Sequence, residues 1–457
     1  MNQPQFDHLR LSLNLRVRNR AAILVQTLRM LAIACALTGV TGNLAKAEES
    51  PNTAAETKST ANTAINGTTA KNQQPDWIDT LQIHGFATQG LSATSANRLF
   101  GNSPDVSFKL RELGLNLSTR PTPDLLLSAQ ILSRTAGDVD NGDLRLDYGF
   151  LDYAFRQSFE DKWGLRLGRV KNPIGIYNET RDVDFTRPGI LLPQSIYLDR
   201  ARSILMSSDA AFLYGEQRLG PGTASLNMGY GTPQADDEEL ERSMLLGRDW
   251  AGHLRGEASR LGRILYQMDS GWLFGLTLGE ARMDFNARGS DAPLLSDGAI
   301  TLGYQLLSLQ YERPDWSLTA EFLRQTKKTR GFGPLLEDGN TAGDNYYIQL
   351  IRRLSERLQL LLRYEEGYVD NADKQGKDAA AHSKLLQSLG LPGVARHNLY
   401  GIDWTLGLRW DPAPNWVVKT EYHRIKGTMW VPFTENPSIE AMEENWDLFL
   451  FTVGYWF

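Results

Sequence analysis

The chain has 457 residues, with 48 Lys and Arg against 54 Asp and Glu and a single cysteine. Apolar residues make up 41% and charged residues 22%, too apolar for a disordered chain and too polar for a bundle of membrane helices. The acidic balance speaks against a nucleic-acid partner, while 41 Gly with 11 Trp, 16 Tyr and 17 Phe lean toward β-structure.

Arg10, Arg16, Arg18, Arg20 and Arg29 precede an apolar stretch from Met30 to Val40, and Ala45-Lys46-Ala47 offers a small-x-small cleavage site. Residues 1–47 therefore read as a secretory signal peptide. The apolar run is well short of the roughly 20 residues a spanning helix needs. Cys35 does not make a lipoprotein site, because Ala32 stands where a larger aliphatic is wanted. Cleavage after Ala47 would remove the cysteine and leave 42 basic and 53 acidic residues, a net charge of about −11. Such an exported chain gains no disulfide. Residues 48–75 read as a disordered periplasmic linker: fifteen of the 28 are Ala, Thr or Asn, and Ile65 is the one large apolar side chain. That composition cannot offset the entropy of ordering.

From Trp77 onward the signal is alternation. In Ile402–Trp410 every even position is large and apolar, and Leu358–Glu365 and Trp416–His423 repeat the pattern. Period two means strands with one apolar and one polar face. Sixteen strands are predicted: about 81–94, 108–119, 125–136, 144–156, 163–172, 207–217, 223–231 and 259–269 in the first half. The second half gives 272–285, 299–312, 316–326, 345–354, 358–367, 398–410, 416–427 and 446–457. Links after even strands are short and links after odd ones mostly long, with 137–143 the exception. Trp163, Trp272, Trp316, Trp404, Trp410 and Trp416 stand near strand ends, as interfacial girdles require. The apolar phase slips between Phe150 and Leu151, Tyr153 and Phe155, which predicts a β-bulge or a subunit contact facing both ways. The reading is all-β: a transmembrane antiparallel barrel over 76–457, closed so that every backbone group is paired.

The chain ends Phe449-Leu450-Phe451-Thr452-Val453-Gly454-Tyr455-Trp456-Phe457. This resembles the terminal-strand signature of Gram-negative outer-membrane proteins, which implies the bacterial outer membrane, its lipid and lipopolysaccharide, and the barrel-assembly machinery as partner. Gly168-Arg169-Val170-Lys171-Asn172-Pro173-Ile174-Gly175 leads into the longest connection, 173–206. Here the sequence resembles a sixteen-stranded Gram-negative porin of the general-diffusion or phosphate-selective kind. The resemblance covers Trp77–Phe457 as architecture and is motif-like only at 164–209 and at the C-terminus. It implies a homotrimer and a third external loop folded inward to narrow a passive, water-filled channel for small hydrophilic solutes and ions. The chain lacks the dense Lys/Arg stair of the phosphate-selective group, so that selectivity is not carried over.

A connection this long is expected to be functional or disordered, and Pro173, Pro188, Pro193 and Ile190-Leu191-Leu192 favour a packed loop. Its charges are mixed: Glu179, Asp182, Asp184 and Asp199 against Arg181, Arg187, Arg200 and Arg202. Glu179, Arg181, Asp182, Asp184 and Arg187 are the candidate constriction residues. Arg166, Arg363, Arg409 and Lys419, on polar strand faces, are the facing wall. Opposed charges across a narrow opening filter polar solutes; the same charges would equally serve to fasten the loop. Asp236-Asp237-Glu238-Glu239 reads as a solvated acidic loop rather than a cation site, and Asp138–Asp143 as a turn, since a calcium loop would need Glu rather than Gly149 at its last position. No hydrolase, metalloprotease or phosphate-loop motif is present and no metal or other cofactor is implied. A channel preferring organic acids or sugars stays open, as do a barrel enzyme using His423 and an adhesin.

Overall fold

The computed structural model describes residues 77–292 and 294–457; the signal-peptide and linker readings lie outside the described residues. The first strands are β1 (Gln82–Thr94), β2 (Ser107–Thr122), β3 (Leu125–Ala136), β4 (Asp140–Gln157) and β5 (Asp161–Lys171). There follow β6 (Ser207–Leu219), β7 (Gly222–Pro233), β8 (His253–Gly256), β9 (Ser259–Met268), β10 (Trp272–Asn286) and β11 (Gly298–Glu312). The chain ends with β12 (Trp316–Arg330), β13 (Gly339–Ser355), β14 (Leu358–Tyr368), β15 (Tyr400–Trp410), β16 (Trp416–Gly427) and β17 (Asn445–Trp456). β8 and β9 both pair with β10 and are two pieces of one stave, so the barrel is sixteen-stranded. Neighbours pair antiparallel in chain order, and β17 returns to β1 with Phe86 opposite Trp456. Gly85 and Phe457 exchange both backbone hydrogen bonds at that seam, at 3.0 and 3.1 Å. The sheet thus has no free edge, the condition for strands in lipid.

Alternation decides what faces lipid. Leu113, Leu115 and Leu117 on β2, Leu360 and Leu362 on β14, and Trp404, Leu406 and Leu408 on β15 point outward as an exposed apolar belt, while the residues between them are small, buried or polar. Aromatic rings mark both rims. At the short-turn end Trp272 and Tyr311 stand 4.4 Å apart and Trp416 meets Tyr455 at 5.0 Å; at the other, Tyr364 meets Trp404 at 4.7 Å. In β4 the register slips so that Asp147 is the extra residue between Leu146 and Tyr148, with a second irregularity between Tyr153 and Arg156. The bulge turns Phe150 into the lumen while Tyr153 and Phe155 stay on the outer face.

The connection between β3 and β4 is shorter than predicted, 137–139, because pairing continues to Asp140. The long loops carry structure that the alternation did not announce: a helix at Glu238–Met244 and another at Lys377–Ser388. The acidic run is correspondingly not a simple solvated loop. Asp237 caps the first helix by accepting from Leu240 N at 2.7 Å. Glu239 is buried, accepting from Phe433 N and Thr434 N and pairing with Arg200 at 2.8 Å. Leu240, Leu245, Trp250, Leu295, Leu386 and Leu391 pack from these loops onto one apolar cluster.

Candidate functional site: the lumen and its inward loop

Residues 172–206, between β5 and β6, enter the barrel rather than covering it. The approach is made by two glycines in left-handed backbone. Gly168 has φ +125° and Gly175 φ +55°; a Cβ added at either would lie 2.4 Å from its neighbour, the Gly149 carbonyl oxygen and the Tyr197 hydroxyl respectively. Only glycine accepts such positions without strain. Arg169 between them points outward and pairs with Asp209 at 2.8 Å.

The loop then touches opposite walls in turn. Gly175 O accepts from Arg263 on β9 and Gly175 N donates to Thr277 on β10. Asp182 meets Lys171 on β5 at 2.8 Å and Gln130 on β3. Lys419 on β16 donates to Asp184 Oδ1 at 3.0 Å and to the carbonyls of Asp184, Arg187 (3.1 Å) and Gly189 (3.1 Å). Leu191 O accepts from Arg363 on β14, and Ser195 N donates to Glu365 on the same strand at 2.7 Å. Tyr197 donates to Glu321 on β12 at 2.6 Å. Asp199 then returns to Arg134 on β3, halfway around the barrel from Glu321.

The two sides differ in chemistry. Toward β10–β13 the inward residues Ile300, Leu302, Leu306 and Leu323 form an apolar seat for Ile174, Ile196, Ile204 and Leu205 of the loop. Each buried side chain of that size contributes about 1.5–3 kcal/mol. Toward β14–β16 and β2–β5 ion pairs and charge-assisted hydrogen bonds predominate and are nearly all buried, with Ile190 packed on a second apolar cluster beside Leu110 and Ile425. A cavity of about 200 Å³ beside the short β3–β4 connection is lined by Arg134, Asp140, Arg145, Asp147 and Arg202 among others, and it shares Arg134, Asp199 and Arg202 with a cavity of about 20 Å³ deeper in.

The predicted site residues fall into two groups. Arg181, Asp182, Asp184, Arg187, Arg363 and Lys419 are all less than a tenth exposed and are bonded between loop and wall. Glu179 is a third exposed and pairs with Arg263 at 2.5 Å. Arg166 pairs with Asp152 at 3.0 Å, stacks on Tyr214 and Phe150, and stays partly exposed; Arg409 donates to Phe185 O and pairs with Asp411. Against the cost of burial, Lys419 and Arg187 hold the Asp184 carboxyl below the usual range, and Lys171 and Arg202 do the same for Asp182. His423 lies between two carboxylates, Asp403 at 2.7 Å and Glu421 at 3.3 Å, so both ring nitrogens face acids.

Sequence reasoning missed Tyr197, Glu321, Glu112 and Arg134. Glu321 is buried and satisfied by Ser308, Tyr197, Tyr347 and Ile176 N. On β12 Glu321 shares the inward phase with Ser317, Thr319 and Leu323, so its lumenal side was readable but its loop partner was not. Glu112 and Arg134 sit in polar phase on β2 and β3 and were readable as lumenal, though nothing in sequence tied them to the loop.

No protein-family model matches the sequence, and no curated protein matches it. Among solved structures the chain is similar to OprB of Pseudomonas putida, with a TM-score of 0.52, 10% identity, and coverage of 83% of this chain and 95% of that one. It is also similar to the outer membrane channel DcaP of Acinetobacter baumannii, with a TM-score of 0.50, 11% identity, and coverage of 82% and 97%. The fold is that of the bacterial outer-membrane porins, a closed sixteen-stranded barrel with an apolar outer belt.

Proposed function

We propose that this protein is a passive outer-membrane channel for small hydrophilic solutes and ions, narrowed by the loop at 172–206, and not an enzyme. The observation that carries the reading is the loop's path: it leaves β5, binds Lys419, Arg363 and Glu321 on the far walls, and returns to Arg134 before β6. A chain segment so fastened leaves solutes only the polar side of the lumen. There the basic groups Arg134, Arg181, Arg187 and Arg202 gather toward β2–β3, while Glu365, Asp403 and Glu421 stand on β14–β16. Opposed charge across a narrow passage orients dipolar solutes and weighs ions by sign. The partly exposed Arg166, Glu179 and Arg409 are the constriction candidates that solutes would meet, and the buried ones fasten the loop. A homotrimer, contact with lipopolysaccharide and delivery by the barrel-assembly machinery belong to the same reading. The apolar outer belt and the alternating Phe449–Phe457 strand support them.

Deleting residues 178–187 tests the proposal. The folded, heat-modifiable barrel is expected to show higher single-channel conductance in a planar bilayer than the intact chain. Equal conductance from a folded deletion variant would remove the loop from the pore.

A further inference from the structure

Where the loop meets β2 and β3 the buried charges do not balance. The cavity of about 20 Å³ there is lined by Arg134, Arg181, Arg187 and Arg202, with Arg111 at its edge, and the acids on it are Glu112 and Asp199 alone. Three guanidiniums share Glu112: Arg187 at 2.9 Å, Arg134 at 3.3 Å and Arg202 at 3.4 Å. Three share Asp199: Arg134 at 2.5 Å, and Arg181 and Arg202 at 3.5 Å. Outside this set, Arg187 reaches Asp184, but the same oxygen already serves Lys419, and Arg202 feels Asp182, whose carboxylate is already paired to Lys171. Arg134 reaches Asp140 at 3.5 Å, which lies closer to Arg145.

Arg181 is the poorest in counter-charge. Its nearest carboxylate is that 3.5 Å contact, and its remaining bonds go to neutral acceptors, Tyr197 O at 2.9 Å and Asn178 Oδ1 at 3.4 Å. The Nε–H groups of Arg181, Arg187 and Arg202 are buried and have no hydrogen-bond partner among the described residues. An uncompensated buried cation and an unmade charge-assisted hydrogen bond each cost several kcal/mol. Guanidinium groups converging from different elements meet that cost best with a shared anion.

We propose that this cluster is an anion-binding site that takes one compact monoanion, a halide or the carboxylate head of a small organic acid, against Arg181. The cavity admits a group little larger than one water, so a bulky dianion such as sulfate is excluded. The wider cavity of about 200 Å³, which shares Arg134, Asp199 and Arg202, is the approach. Three of the four arginines belong to the loop and one to β3, so the bound anion ties the loop to the wall. Burial and the neighbouring Arg202, opposed by Asp199, lower the proton affinity of Arg181, in keeping with a cation short of counter-charge. The site does not rest on the channel reading, because a non-conducting barrel would hold the anion equally well.

The test reads binding at equilibrium, on the full folded chain in detergent micelles. The chloride NMR line width, titrated with NaCl, should show saturable excess broadening that Arg181→Gln weakens by at least about tenfold. Sulfate should not compete. Competition by acetate assigns the carboxylate head as a ligand, and its absence confines the site to the halide. Should the variant fail to fold, bromide-soaked crystals of the unaltered protein decide, with an anomalous peak expected beside the Arg181 guanidinium. No saturable broadening, broadening unchanged in a folded Arg181→Gln, or no bromide peak overturns the proposal.

Discussion

Where the inward loop meets β10–β13 it presents Ile174, Ile196, Ile204 and Leu205 to Ile300, Leu302 and Leu306, whereas across the lumen it presents carbonyls and carboxylates to Lys419, Arg363 and Arg134. The first contact is mainly apolar and non-directional, with the buried Tyr197–Glu321 hydrogen bond set into it. The second is directional and conditional on ionisation, since each charge is buried and stable only while its partner is present. One segment is thus seated by packing on one side and latched by charge on the other. Solute, proton or ion bears chiefly on the latched side, where most of the buried charge lies.

The largest effect is expected from Lys419→Met, which leaves Asp184 and the carbonyls of Arg187 and Gly189 without their buried donor. It should cost about 4 kcal/mol, read as a lower midpoint of heat-modifiable unfolding. A cost below about 1 kcal/mol would mean that the charged side fastens nothing. Leu205→Ala on the apolar side should cost about 3 kcal/mol through the cavity it leaves. Its midpoint shift should be the same at pH 3 and pH 7, unlike that of Lys419→Met, whose partner Asp184 is lost as pH falls below about 4.

The smallest effect is expected from mild pH change, and its two limbs have opposite signs. Against the cost of burial, Lys419 holds Asp184, Lys171 holds Asp182 and Arg134 holds Asp199 below the usual carboxylate range. Their folded pKa values are depressed, so this stabilisation is present above about pH 4 and is lost as pH falls through the folded values. Glu435, in the β16–β17 connection, accepts from Gly101 N and Asp138 N, and burial pushes its carboxyl up to about 7. A raised folded pKa contributes stability below the ordinary value, lost as pH rises through 7. The unfolding midpoint should therefore be highest in mildly acid solution, and Glu435→Gln should make the neutral limb shallower, with burial-raised Asp237 (about 6) keeping the remainder, and leave the acid limb unchanged. A profile flat from pH 3 to 8 in the unaltered chain would contradict both assignments.

Period-two alternation reached the barrel because lipid imposes it on each strand locally. The outward Leu360, Leu362, Trp404 and Leu406 are legible without knowing any neighbour, and so was the phase slip that became the Asp147 bulge. Gly168 and Gly175 stood out only as part of a segment resembling a porin's loop entry, and their positive φ angles show why glycine is needed there. The inward face followed no such rule. On β11, Ile300, Leu302 and Leu306 are apolar and lumenal because they meet a loop from elsewhere in the chain, and Glu239 is buried because Arg200 and the 428–444 connection come to it. Arg181 and Asp182 are adjacent in sequence, yet one faces the arginine cluster and the other Lys171. The sequence by itself determined which segments span, which face meets lipid and which connection is long. Only the tertiary structure decided which charges meet, because a charge is paired by the position of another backbone across the lumen and not by its own neighbours along the chain.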